Sequence, residues 1–119
     1  MDRRSAREEA FKILFQEDIN SDIEINDKGM NSYTKIVVFG TIKNKQEIDH
    51  RISSHLHNWS FERIPLVEKA ILRIAVYEMD YLDDIPIGVS INEAVELAHK
   101  YGDEKSGKFI NGVLSNIIK

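Results

Sequence analysis

PLVEKAILRIAVYEM, residues 65–79, is the stretch that decides how this chain must fold. Leu66, Val67, Ala70, Ile71, Leu72, Ile74, Ala75, Val76, Tyr77 and Met79 put apolar side chains on almost every side of a helix. A helix of that kind belongs in the middle of a bundle, because any orientation on a surface would leave part of it in water. Pro65 suits its first turn, where the missing N–H costs nothing, and pushes Ile64 out of the helical region. Residues 83–89, with Pro86 and Gly88, end it. Two amphipathic segments follow, SINEAVELAHKYG (90–102) and SGKFINGVL (106–114). Ser90 and Glu93 read as a capping box at the first of these helices. Gly102 fits a left-handed position at its end, and Asp103 is placed to cap the next helix. That last helix is expected to bury Phe109, Ile110, Val113, Leu114 and Ile117.

Upstream, Ala6, Ala10, Ile13 and Leu14 recur at helical spacing between Ser5 and Ile19, with Phe11 and Phe15 widening the stripe. NSDIEINDKG (20–29) is rich in turn formers and acids and reads as a loop between two hairpin partners. Residues 30–43 hold a β-branched run, but Tyr33, Ile36, Val37 and Gly40 keep the i, i+3, i+4, i+7 spacing, which favours helix. Residues 45–57 place Ile48, Ile52, Leu56 and His55 on one face of a third helix. WSFERIP (59–65) is a corner, with Trp59 and Phe61 as apolar plugs. The pattern predicts an all-α fold, a bundle of about six to seven helices in one domain spanning 1–119.

With 119 residues, 42% hydrophobic and 30% charged, the chain can bury a core without a staple. It has no cysteine, which excludes disulfides, thiolate metal sites and thiol nucleophiles. No segment approaches the roughly 20 apolar residues of a membrane helix, and the charged N-terminus lacks a signal-like apolar run; a cytoplasmic location is expected. The net charge of −4 conceals an uneven distribution. Arg3, Arg4, Arg7 and Lys12 outnumber the acids at the start, and Lys100, Lys105, Lys108 and Lys119 outnumber those at the end. Glu17, Asp18, Asp22, Glu24 and Asp27 gather the acidity in the first loop and its approach.

VEKAILRIAVYE (67–78), VSINEAVELAHKYG (89–102) and SGKFINGVL (106–114), in this order and spacing, resemble the NusB family of transcription antitermination factors. RRSARE (3–8) resembles the arginine-rich entrance of that family's first helix. The resemblance covers most of the chain. It implies a helical protein with no enzymatic activity and no cofactor, which pairs with the ribosomal protein NusE. The pair binds boxA-like single-stranded RNA and helps RNA polymerase through terminators on ribosomal RNA operons. Two departures accompany it. The first loop and the tail are short, so contacts made by longer versions of these segments are expected to be missing. Ser5 stands where a family member can carry a further arginine.

Arg3, Arg4 and Arg7 read either as a solvated helix start or as phosphate contacts; the resemblance favours RNA. Lys105 and Lys108, near the start of the last helix, are further RNA-contact candidates. Phe15 divides between core packing and stacking on an unpaired base. Gly102, Gly107 and Lys108 imitate the spacing of a phosphate-binding nucleotide loop, but Phe109 replaces the required Ser or Thr and no strand precedes it. Arg73 and Glu78 must be paired or reach an edge. For these two the alternatives are structural ion pairs with Glu68 or Lys69 nearby, or a partner-protein surface formed by Glu68, Lys69 and Arg73. Asn92, Glu93 and Asn111 read as helix-start and inter-helix hydrogen bonders. The four histidines lack metal-ligand spacing, and no metal site is expected. Two further readings stay open: a free-standing relative of the domain that precedes RNA cytosine methyltransferases, and a homodimeric interaction protein with its RNA face covered.

Overall fold

Residues Leu66–Tyr81 form helix α4, the axis around which the chain is built. It packs against the helices Arg3–Ile19 (α1), Ser32–Lys43 (α2), Lys45–Ser53 (α3), Ile87–Tyr101 (α5) and Ser106–Ile117 (α6). Ala70 through Val76 are buried without interruption, Arg73 included, as expected of a helix apolar all round. The computed structural model describes residues 1–118, and these comprise six α-helices and a short 3-10 turn, Phe61–Arg63, with no strand. α1 pairs with α2, and α5 pairs with α6; α4 joins the two hairpins. No described helix is long and apolar enough to cross a membrane.

α1 starts at Arg3 because the Asp2 carboxylate accepts the Ser5 N–H at 2.8 Å, satisfying an orphan donor and placing a negative charge at the positive end of the helix. The acidic loop closes with a turn from Asp27 to Met30 (3.0 Å), in which Gly29 takes φ +76°, a conformation that favours glycine. Asn31 then caps α2 by accepting from Tyr33 and Thr34.

The structure corrects several local expectations. The buried stripe of α2 is Thr34, Val37, Val38 and Thr41; Ile36 is exposed and Tyr33 half-buried. The helix is rotated so that Gly40 lies against Tyr77: a Cβ there would fall 2.2 Å from the ring. Thr34 Oγ1 donates to the Ala6 carbonyl at 2.9 Å, locking α2 to α1. α3 stops at Ser53, short of residue 57, and Asn58 takes φ +64° in the connection that follows. Trp59 is not a plug. It is 53% exposed and leans on Phe109 with ring centroids 5.7 Å apart.

α5 begins at Ile87, directly after Pro86, and not at a capping box on Ser90. Both box residues are engaged elsewhere, Ser90 with Glu78 and Glu93 with Arg4 and Arg7. Gly102 has φ −97°, outside the left-handed region. What it provides is space, since a Cβ would sit 2.4 Å from Ser106 Oγ. Asp103 accepts from the Lys105 N–H (2.8 Å), but this closes the turn ahead of α6, whose N-terminal flanking residue is Lys105 with no side-chain cap.

Candidate nucleic-acid interface

Three arginines enter α1 within five residues, and each meets a carboxylate from another part of the chain. Arg3 Nη2 lies 2.9 Å from Asp84, with its guanidinium 4.8 Å above the centre of the Tyr33 ring. Arg4 holds Glu93 with two bonds, Nε at 3.0 Å and Nη2 at 2.7 Å. Its side chain is nevertheless 69% exposed, so the remaining N–H groups of its fork still face solvent.

Arg7 is different. It is 4% exposed, and its Nε lies 2.8 Å from Oε2 of Glu78, itself 1% exposed. Burial works against the Arg7 charge, but the attraction and hydrogen bond of Glu78 outweigh it and hold the guanidinium pKa above its ordinary value. Glu78 also accepts from the Tyr33 hydroxyl and from Ser90 Oγ (3.0 Å). Burial and the neighbouring Glu78 carboxylate push the Tyr33 hydroxyl pKa up. Expected as a phosphate contact beside Arg3 and Arg4, Arg7 lies instead beneath them. It reaches Glu93 through Nη1 at 3.3 Å, so Glu78, Arg7, Glu93 and Arg4 form a chain of charges from core to surface. The Arg4 hydrogen bond, with further attraction from Arg7, holds the Glu93 carboxyl below its usual range.

Two open grooves flank this chain. One, of about 440 Å³, runs between α1 and α5 and is lined by Arg4, Glu8, Glu93, Glu96, His99 and Lys100 among others. The second, of about 610 Å³, continues between α5 and α6 and shares Arg4, Glu96 and His99 while adding Lys108. Lys100 is tied to Glu8 at 2.6 Å. Lys108 is exposed and makes no ion pair among the described residues. Phe15 is partly buried and stacks on Phe11 at 5.9 Å, and Phe11 in turn meets Tyr101 at 4.8 Å.

Lys105 lies away from Lys108, in a smaller pocket with Trp59, Phe109 and Glu68. Glu68 is 9% exposed, and burial raises its pKa, with the Asp103 charge adding to the effect. The three residues considered for a partner surface do not share one exposed face. Lys69 lies 4.7 Å above the Phe61 ring. Arg73 is buried and bonded to Asp49 (2.7 and 3.0 Å) and Asp18 (2.6 Å), rather than to Glu68. Its ion pair is the internal one, formed with helices distant in sequence.

Sequence reasoning missed three participants. Tyr33 and Ser90, which complete the Glu78 site, were read locally, as part of a helical face and as a helix cap, with no signal for a partner 45 or 12 residues away. His99 was considered only as a metal ligand, yet it stands where the two grooves meet. Among the described residues no group of three or more His, Asp or Glu side chains is placed to hold a metal ion.

Fold and site together define a class: a six-helix bundle whose core carries a charged relay to an open polar groove at the entrance of its first helix. The NusB family model matches residues 4–119, and the chain belongs to the NusB family. It is 50% identical over 125 residues to the transcription antitermination protein NusB of Bacillus licheniformis, covering 98% of this chain and 96% of that protein. Among solved structures it is similar to NusB from T. maritima (TM-score 0.88, 38% identity, 98% of this chain and 90% of that one). It is also similar to a chain in the crystal structure of the antitermination factors NusB and NusE in complex with double-stranded RNA (TM-score 0.84, 34% identity, 97% and 94%).

Proposed function

We infer that this protein is a transcription antitermination factor that binds boxA-like RNA of nascent ribosomal transcripts together with the ribosomal protein NusE. The observation that carries this reading is similarity along nearly the whole chain to NusB proteins, one of them in a complex with NusE and RNA. The chain acts as one RNA-binding domain over residues 1–119, by assembly in the cytoplasm with RNA polymerase and without catalysing a reaction. Arg3 and Arg4 offer their solvent-facing N–H groups to phosphates, while Asp84 and Glu93 fix the guanidinium planes. Arg7 positions this surface from below through Glu93. Lys108 extends the cationic track across the α5–α6 groove, and Lys105 adds a charge beside Trp59 and Phe109. Phe15 contributes mainly through the Phe11 stack that supports α1.

The test is fluorescence anisotropy of a labelled boxA-like single strand, its duplex form and a scrambled strand, with and without NusE. The expected result is that NusE tightens binding to the boxA strand selectively. Equal binding of all three RNAs with no effect of NusE contradicts the reading.

A further inference from the structure

The groove between α5 and α6 contains polar groups that the fold does not use. Asn92 on α5 and Asn111 on α6 both line it, are exposed, and make no side-chain hydrogen bond among the described residues. Both were expected to tie helix starts and neighbouring helices together, and neither does. On the same groove His99 lies over α6 because residue 107 is glycine: a Cβ on Gly107 would fall 2.7 Å from His99 Nε2 and 2.9 Å from Cδ2. The imidazole therefore rests on bare backbone as one wall of the groove, with Val95 at its base. Gly107, which imitates a nucleotide loop in the sequence, has this space-making role instead. Arg4 and Lys108 flank the groove with positive charge, and Glu96 supplies a 58% exposed carboxylate beside His99.

We propose that this groove is a base-reading subsite that takes one unpaired RNA nucleotide, its ring against His99, its edge on Asn92 and Asn111, and its flanking phosphates on Arg4 and Lys108. The chemistry selects that occupant. An amide carries both donors and an acceptor, matching the mixed edge of a nucleobase, whereas a phosphate alone would leave its carbonyl unused. The Glu96 carboxylate is an acceptor for an exocyclic amino group and repels phosphate, so it favours a base at the centre and phosphates at the cationic ends. The volume, about 610 Å³, accommodates a nucleotide with room for water. The groove is continuous with the α1–α5 groove through Arg4, Glu96 and His99, which places it on the path of a strand gripped at the helix entrance. This assignment rests on the RNA-binding reading above and adds where sequence is read.

Affinities of the full-length chain for boxA-like and scrambled single strands, with NusE present, test it. Asn92→Ala combined with Asn111→Ala should weaken boxA binding about 3- to 10-fold, the range of one net hydrogen bond, and leave the scrambled strand unchanged. Lys108→Ala should weaken both strands equally. Boxa-selective shifts of the Asn92 and Asn111 side-chain amide resonances in 15N-labelled wild-type protein give a second readout. A double variant that binds boxA as wild type does, or loses both strands equally, overturns the subsite while the broader function stands. Wild-type protein that binds neither strand overturns both.

Discussion

Arg7 Nε and Glu78 Oε2 face each other across 2.8 Å in the core, 71 residues apart in sequence, on helices α1 and α4. The pair joins the first helix to the central one and, through Glu93, fixes the surface arginine that we assign to RNA. An ion pair this buried need not exceed well-packed apolar residues in stability. Breaking it from one side, however, leaves an uncompensated charge. Arg7→Ala should therefore destabilise the fold by about 3–5 kcal/mol, measured by urea unfolding. Arg7→Met combined with Glu78→Leu should recover a large part of that loss. A single variant of near wild-type stability would contradict the structural role given to the pair.

Gly40 and Tyr77 make the closest approach between α2 and α4, with 2.2 Å separating the ring from a hypothetical Cβ. Gly40→Ala should cost about 1–3 kcal/mol through overpacking, despite alanine's better helix propensity. In a Tyr77→Leu background, where the ring is gone, the same change should cost much less. A double-mutant cycle with no coupling would show that α2 can shift away freely.

Two glutamates should respond to pH with opposite signs. The Glu68 pKa is raised in the fold, so its charged form opposes folding at neutral pH. That cost disappears as pH falls through the raised value towards the unfolded one. Glu68→Gln should raise Tm at pH 7.5, and the gain should vanish near pH 4. The Glu93 pKa is lowered, so Glu93 stabilises the fold above its ordinary range and loses that contribution as pH falls through the lowered value. Glu93→Gln should lower Tm at pH 7.5, by less as the medium becomes acid. Parallel pH profiles for the two variants would contradict the environments described.

Arg73 holds Asp18 of α1 and Asp49 of α3 at once. Arg73→Met should leave Asp49 without its cation and Asp18 with Lys45 alone (3.1 Å), and destabilise by about 3 kcal/mol or more. Adding Asp49→Asn should restore part of the loss. If Arg73→Met instead leaves stability unchanged and reduces NusE binding, the residue belongs to a partner surface.

The central helix was legible because Ala70 to Val76 leave no polar side that could face water, apart from Arg73. Helix order and the two hairpins followed from that axis and from the Pro and Gly breaks around it. Side-chain partners were less accessible. That Arg73 and Glu78 needed partners was clear from the cost of burying charge. Their actual partners, Asp18 and Asp49 for one and Arg7, Tyr33 and Ser90 for the other, come from distant segments. The same long-range demand removed Ser90 and Glu93 from the local capping box their spacing suggests. On α2 the rotation was set by the fit of Gly40 to Tyr77, which periodicity does not encode. Lys108 and Lys105, three residues apart, could be placed on one helix start but not in their separate pockets.

The salt dependence of boxA-like RNA binding tests the central claim most directly. Three phosphate contacts on a single strand contribute a slope of about −2 in log affinity against log salt. Arg3→Ala, Arg4→Ala and Lys108→Ala combined should flatten the wild-type slope by about that amount, while far-ultraviolet circular dichroism stays at wild type and Tm falls no further than loss of the Arg4–Glu93 pair requires, because all three side chains are exposed. A triple variant that keeps the full wild-type slope would show that RNA phosphates are held elsewhere, and would contradict the assignment of this face.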